Sequence, residues 1–447
     1  MKKQERRKEK GITLVALVIT IIVLLILAGV TLNIVLDQDG IIGKAKQAAE
    51  EYDNAQKAEQ ELLGEIEGYI EYAGKTAPIP EGYTKSQITT EDDVAEGLVI
   101  YEIPEGATVN WTDNEDENGK NQSTITIGET TTNLQETVNQ YVWIPVNDIN
   151  SMVMCESNNK LADEDGNKIC NLVYDEDVDT LICQIHPDTA TDLVGRLYTS
   201  SLTGDNPYSY IMDFTKRNQT YSPNEGYREP AVITGDDGTS YDGDSSNLVI
   251  AGMPEGSTSA QFLTQLESDF TVMAKSVARN GGFYISRYEV GVNGESKKEQ
   301  TVLTAASSDN IEENYLGANT WYGLYNTIRN VGANKQMIWG CQYDQVIKFL
   351  KENGEDPENG HNNRDLTTTH ASSGQNKLDC MKNIYDLEGN HMEWTAEAES
   401  NYLRVYRGCY CHNASNGYFD PASVRWRHAP TDENYITYYS SRATLYL

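Results

Sequence analysis

Cysteine is scarce, with seven residues in 447, at positions 155, 170, 183, 341, 380, 409 and 411. An odd, widely spread set excludes a disulfide-dense scaffold, while leaving room for one or two bridges. No CxxC pair occurs, which removes the usual mark of structural zinc. Histidine is scarcer still: His186, His361, His370, His391, His412 and His428 are scattered, and no His-Glu-x-x-His motif occurs. A Gly-x-Ser-x-Gly elbow and a P-loop are also missing, so the chain carries none of these catalytic signatures. Basic residues are outnumbered, 35 Lys and Arg against 68 Asp and Glu, for a net charge of −33. Such a surface repels nucleic acid and anionic lipid, favours solubility, and suits Ca²⁺ or basic partners. No internal repeat is present.

The few basic residues are not evenly spread. Residues 1–11 (MKKQERRKEKG) hold six of them against two acids. An uncharged apolar run follows over 12–36. As a helix it is roughly 37 Å long, enough to cross a bilayer with the basic end in the cytoplasm. The run is too long for a secretory signal, and no A-x-A-like site follows it. A plain single-pass anchor is one reading. Lys10-Gly11 before Ile12-Thr13-Leu14-Val15 supports a narrower one, because it resembles the type IV prepilin processing site. The resemblance implies that a prepilin peptidase cuts after Gly11 and methylates Ile12. It also implies a cell-membrane location with an extracellular ectodomain, in a pilus or pseudopilus with other pilin subunits. The fifth residue after the cut, Glu in most of that family, is Ala16 here. The resemblance therefore carries processing further than polymerisation. Beyond Asp37–Gly40, Ile41, Ala45, Ala48, Tyr52, Ala55, Leu62, Ile66, Tyr69 and Ala73 form an apolar stripe, predicting a stem helix through residue 75.

Two prolines in 76–80 end that helix. A β-rich connecting region is expected over 76–139, with a strand at Leu98–Glu102 and a polar hairpin tip or loop at 112–123. Tyr141–Val146 and Gly281–Val290 read as strands. Phe262, Leu263, Leu266, Phe270, Met273, Ala274 and Val277 share one helical face. Short helices are expected near Trp321–Ile328 and Tyr343–Leu350. Residues 190–250 read as an irregular insertion whose Asp242-Gly-Asp-Ser245 run is a solvated turn, since it lacks calcium-loop spacing. Residues 355–377 are polar, without a regular pattern.

Gly389-Asn390-His391-Met392-Glu393-Trp394 resembles the Gly-Asn-x-x-Glu-Trp signature of the formylglycine-generating enzyme family. Arg404-Val-Tyr-Arg-Gly408 resembles its Arg-Val-x-Arg-Gly-Gly-Ser segment, and Ser441-Arg442-Ala443 stands where that family ends in Gly-Phe-Arg. The strands at 141–146 and 283–290 resemble its opening strands, so the resemblance covers about 140–447. It implies a C-type lectin-like domain, making the class α+β with much irregular structure after a long pilin-type helix. It further implies structural Ca²⁺ held by Asn390 and Glu393, or a purely packing role for that signature. Active members oxidise a substrate cysteine with copper(I) held by two cysteines five residues apart. Here Cys409 and Cys411 are two apart, which does not match, and neither an enzyme nor a catalytic cofactor is expected.

The segment 406–439 is rich in Tyr, Asn, His, Asp and Thr. Its candidate ligand-binding residues are Tyr406, Tyr410, His412, Asn413, Asn416, Tyr418, Asp420, His428, Asp432, Asn434, Tyr435, Thr437 and Tyr438. Antibody paratopes use this chemistry, in which Tyr supplies contact area at low entropy cost and short polar side chains adapt their hydrogen bonds. These residue types are reachable from an Asn codon by changing its adenines, whereas Trp426 is not and reads as scaffold. The pattern resembles variable proteins of diversity-generating retroelements. Expected, then, is a surface protein that recognises a protein or glycan ligand. A copper-dependent cysteine oxidase and a purely structural pilin are the competing classes.

Overall fold

The computed structural model describes residues 77–117, 119–149, 152, 171–175, 180–184, 227–228, 230, 232–233, 241–291, 293–300, 302, 320–332, 334–357, 372–375, 377–399, 403–408, 422, 425–431 and 439–447. Contacts divide the chain into Met1–Glu67 and Gly68–Leu447, and every described residue belongs to the second unit. Gly11, Ile12, the apolar run and the stem stripe lie outside the described residues. No described helix is long and apolar enough to cross a membrane.

The class is α+β. After its leading Gln140, the strand Gln140–Pro145 is apolar without alternation because both of its faces are covered, and all of its residues are buried. It forms β6 of a six-stranded antiparallel sheet. The order is β1 (Tyr83–Lys85), β2 (Val99–Glu102), β6, β10 (Gly282–Ser286), β18 (Ala443–Leu445) and β11 (Lys335–Met337). Trp143 lies opposite Tyr284, with ring centroids 4.9 Å apart, and Tyr141 lies opposite Ser286. A strand late in the sequence, β18, thus sits inside the sheet between β10 and β11.

A threonine-rich meander of β3 (Thr108–Asn110), β4 (Thr124–Ile127) and β5 (Thr130–Asn133) precedes β6. The polar stretch between β3 and β4 is only partly a free loop. Asn121 and Ser123 are buried, and Asn121 Nδ2 donates to Thr112 O at 2.7 Å. Asn133 then caps the single turn α1 (Leu134–Thr137). Just ahead of the expected insertion, β7 (Asn171–Asp175) pairs with β8 (Thr180–Gln184), and within it β9 (Tyr227–Arg228) reaches the second sheet.

Asp244 caps α2 (Ser245–Ile250) through Ser246 N–H at 2.9 Å. The Asp242–Ser245 turn is accordingly not simply solvated: Asp242 is buried and its carboxylate meets Arg404 at 2.7 Å. Helix α3 (Ser259–Asn280) starts at a capping box between Thr258 and Gln261. It buries Phe262, Leu266, Phe270, Met273, Ala274 and Val277 in the hydrophobic core, and ends where Gly281 turns left-handed at φ 72°. Helices α4 (Trp321–Asn330) and α5 (Gly340–Glu352) complete the layer. A short hairpin of β12 (Cys380–Met381) and β13 (Ile384–Tyr385) leads into the second sheet, ordered β16 (Arg425–His428), β15 (Leu403–Arg407), β14 (Met392–Glu399) and β17 (Tyr439–Ser441). One continuous hydrophobic cluster links both sheets.

Candidate functional site

Strand β14 is the spine of the C-terminal region. It alternates Glu393, Thr395 and Glu397 with Trp394, Ala396 and Ala398, yet all are buried because elements cover both faces. The apolar side is an aromatic stack: Trp394 meets Tyr406 at 5.4 Å and Tyr439 at 4.7 Å between ring centroids. The polar side must find counter-charges, because an unpaired buried carboxylate is costly. Three fully buried arginines anchor the region. Arg442 Nε donates to Glu393 Oε1 at 2.6 Å, Arg407 reaches Asp344 at 2.7 Å and Glu397 at 3.6 Å, and Arg404 reaches Asp242 at 2.7 Å. The Arg404 guanidinium also lies 4.0 Å from the centroid of the Trp321 ring, a cation–π contact.

Next to this spine is a nest of buried acids: Glu289, Asp379, Asp386, Glu388 and Glu393. Glu289 accepts from Asn390 Nδ2 at 2.6 Å and from His391 N–H at 3.1 Å. Asp386 accepts from Gly374 N–H at 2.6 Å. Asn390 holds this position in a left-handed conformation at φ 63°, which Asn tolerates better than most residues. Burial raises Glu289, Glu393 and Asp386 above the ordinary carboxylate range. The charge of Arg442 opposes that rise, while neighbouring acids add to it for Asp386. So many carboxylates around one guanidinium cannot all ionise, and the nest retains protons at neutral pH. Burial pulls His391 down to about 3, so it is neutral. Its 3.3 Å approach to Glu289 is then a hydrogen bond rather than an ion pair.

Oxygen ligands of this kind suit a hard cation, and Glu393 Oε2 is buried with no hydrogen-bond partner among the described residues. The pair expected to hold Ca²⁺ nevertheless diverges. Asn390 turns its amide to Glu289, and Glu393 is committed to Arg442, whose charge repels a second cation. Among the described residues no group of three ligating side chains converges. In this arrangement Asn390 and Glu393 do not fit a calcium ion.

Of the candidate ligand residues, two are described. Tyr406 is 8% exposed between Trp394 and Tyr439, so its ring is committed to the core rather than to a ligand. His428 is half-buried at the end of β16, its ring 6.1 Å from Tyr439. Tyr410, His412, Asn413, Asn416, Tyr418, Asp420, Asp432, Asn434, Tyr435, Thr437 and Tyr438 lie outside the described residues, as do Cys409 and Cys411. What flanks them is well defined. Arg407 lies opposite Arg425, Glu393 lies opposite both Arg407 and Ser440, and Trp426 packs against the core as scaffold. The chain therefore leaves β15, re-enters at β16 and returns at β17 at one end of one sheet. Cys183 lies on β8, Cys341 is buried on α5, and burial pushes the Cys380 thiol up to about 11.

Sequence reasoning missed Glu289, Asp379, Asp386 and Glu388 as companions of Glu393. Glu289 is far from Glu393 in sequence, while Asp379, Asp386 and Glu388 lie shortly before it in turns and short strands that have no period to show they are buried. Comparison with family models, curated proteins and solved structures returns no match to this chain.

Proposed function

We propose that this chain is a surface-displayed ligand-binding protein, held at a membrane by its prepilin-like segment, whose C-terminal lectin-like region recognises a protein or glycan. The observation that carries the reading is the contrast at 403–441. A rigid framework of buried arginines, Trp394 and Tyr439 brackets two stretches, 409–421 and 432–438, of paratope-like composition. A framework that fixes strand ends while the intervening residues vary is what a tolerant recognition face needs. The buried Tyr406 narrows that face to residues beyond Gly408. The acidic surface favours a partner with neutral or basic chemistry and disfavours nucleic acid. No cofactor step is required.

The test is sequencing of the gene's final segment across one natural population. The reading expects variation concentrated at adenine positions in codons within 409–421 and 432–438, with the codons for Trp394, Arg404, Arg407, Trp426 and Arg442 constant. Uniform codons throughout would remove the diversified face and leave a fixed adhesin or a structural pilin.

A further inference from the structure

Lys335 is the least exposed of the ion-paired lysines. Its side chain is 3% exposed, where the others among the described residues range from 14% to 52%. It opens β11 at one edge of the six-stranded sheet and reaches to Glu102, at the end of β2. The ammonium lies 5.4 Å from the Tyr141 ring and 5.9 Å from the Tyr83 ring, in an aromatic pocket. Lys335 Nζ lies 3.0 Å from Glu102 Oε2 and 3.3 Å from Oε1.

The same Oε2 accepts a 2.7 Å hydrogen bond from Asn139 Nδ2. One carboxylate oxygen thus bridges a lysine amine and an asparagine amide. The orientation of that amide is set by its other partner, since Asn139 Oδ1 accepts from Ser296 N–H at 2.8 Å. Its backbone is held as well, with Glu102 N–H donating to Asn139 O at 2.9 Å. Amine, carboxylate and amide are preassembled, with the amine shielded from water.

We propose that Lys335 and Asn139 join in an intramolecular isopeptide bond, with Glu102 as the proton shuttle. Across their 3.0 Å contact Glu102 takes a proton from the Lys335 ammonium and leaves a neutral amine. Lys335 Nζ then attacks Asn139 Cγ, forming the new C–N bond. The carbonyl electron pair moves onto Oδ1, which the Ser296 N–H stabilises. On collapse the bond from Cγ to Nδ2 breaks, and Nδ2 leaves with the protons that Glu102 returns and the amine loses. The sum is one lysine ammonium and one carboxamide giving one secondary amide and one ammonium ion. Glu102 is regenerated, and no oxidant or cofactor is consumed. Glu102 is 38% exposed, which gives the departing ammonia a route to water. Holding the groups in place supplies the effective concentration that a free amine and amide lack. This link is independent of the ligand reading.

The test is peptide mapping of the full chain, purified in detergent, by mass spectrometry. The expected result is a branched peptide joining the Asn139 and Lys335 segments, lighter than the two together by one ammonia, in most of the chains. Glu102→Gln cannot accept the proton and is expected to yield the two segments unlinked while its circular dichroism matches the parent. Unlinked segments in the parent chain, or Asn139 converted to Asp with Lys335 free, would overturn the proposal. So would a link that survives Glu102→Gln undiminished, because the shuttle would then be wrong.

Discussion

Arg442 neutralises Glu393 inside a fully buried nest, and its guanidinium also donates to the carbonyls of Ser286, Arg287 and Tyr385. Arg442→Met strips the counter-charge and leaves a buried carboxylate behind. The expected cost is about 3–5 kcal/mol in urea unfolding, because breaking one side of a buried pair exposes the full desolvation penalty. A loss below about 1 kcal/mol would mean that the nest relaxes or hydrates freely. The nest also has a pH signature. Glu289 is raised from 4.5 to about 8 in the folded state, so the fold binds more protons than the unfolded chain across that window. Its contribution to stability is complete below the unfolded value and is lost as pH rises through the folded one. Glu289→Gln stays neutral throughout, so its unfolding midpoint should gain on the parent as pH rises from about 5 to about 8. A constant difference would show that Glu289 does not titrate in that range.

Elements whose reasons are local were readable from the sequence. The stripe from Phe262 to Val277 found α3, and the uniform apolar stretch found β6, because 3.6-residue and continuous patterns directly report what each element buries. The helices near Trp321 and Tyr343 were found to within a turn. The three-residue strands β1, β11 and β18 were not, since so short a strand has no period to read and exists only through its neighbours. Tyr406 failed differently. Composition marked it as a recognition tyrosine, but β14 and β17 place Trp394 and Tyr439 against it. Just after β15, Gly408 has φ 73°, and a Cβ there would lie 2.9 Å from Leu387 O. Gly408→Ala should therefore cost about 1–3 kcal/mol by thermal unfolding, from left-handed strain and backbone crowding together. An unchanged melting temperature would mean that the turn can re-form without glycine.

On the scale of the whole molecule, the proposed binding face assigns folding and recognition to different tyrosines. If the proposed face binds a ligand, Tyr435→Ala with Tyr438→Ala should abolish its capture while leaving the melting temperature within about a degree or two, as expected of residues that recognise rather than pack. Tyr406→Ala should instead lower stability by about 3–5 kcal/mol, as truncation of a buried aromatic does. If the first pair destabilised the chain as much as Tyr406→Ala does, those tyrosines would belong to the framework and the binding face would lie elsewhere.

The placement of β18 has a consequence for synthesis. Because Ala443–Leu445 fills the gap between β10 and β11, the six-stranded sheet cannot close until Leu445 has left the ribosome. The sheet would stay open until β18 had emerged. A frameshift or premature stop anywhere in 409–438 would delete β17 and β18, leaving Tyr284 and Met337 without their neighbours. Misread copies would then remain unfolded and fall to proteases, whereas in-frame substitutions would not. If the segment 409–438 is diversified as proposed, the fold would act as its own proofreader.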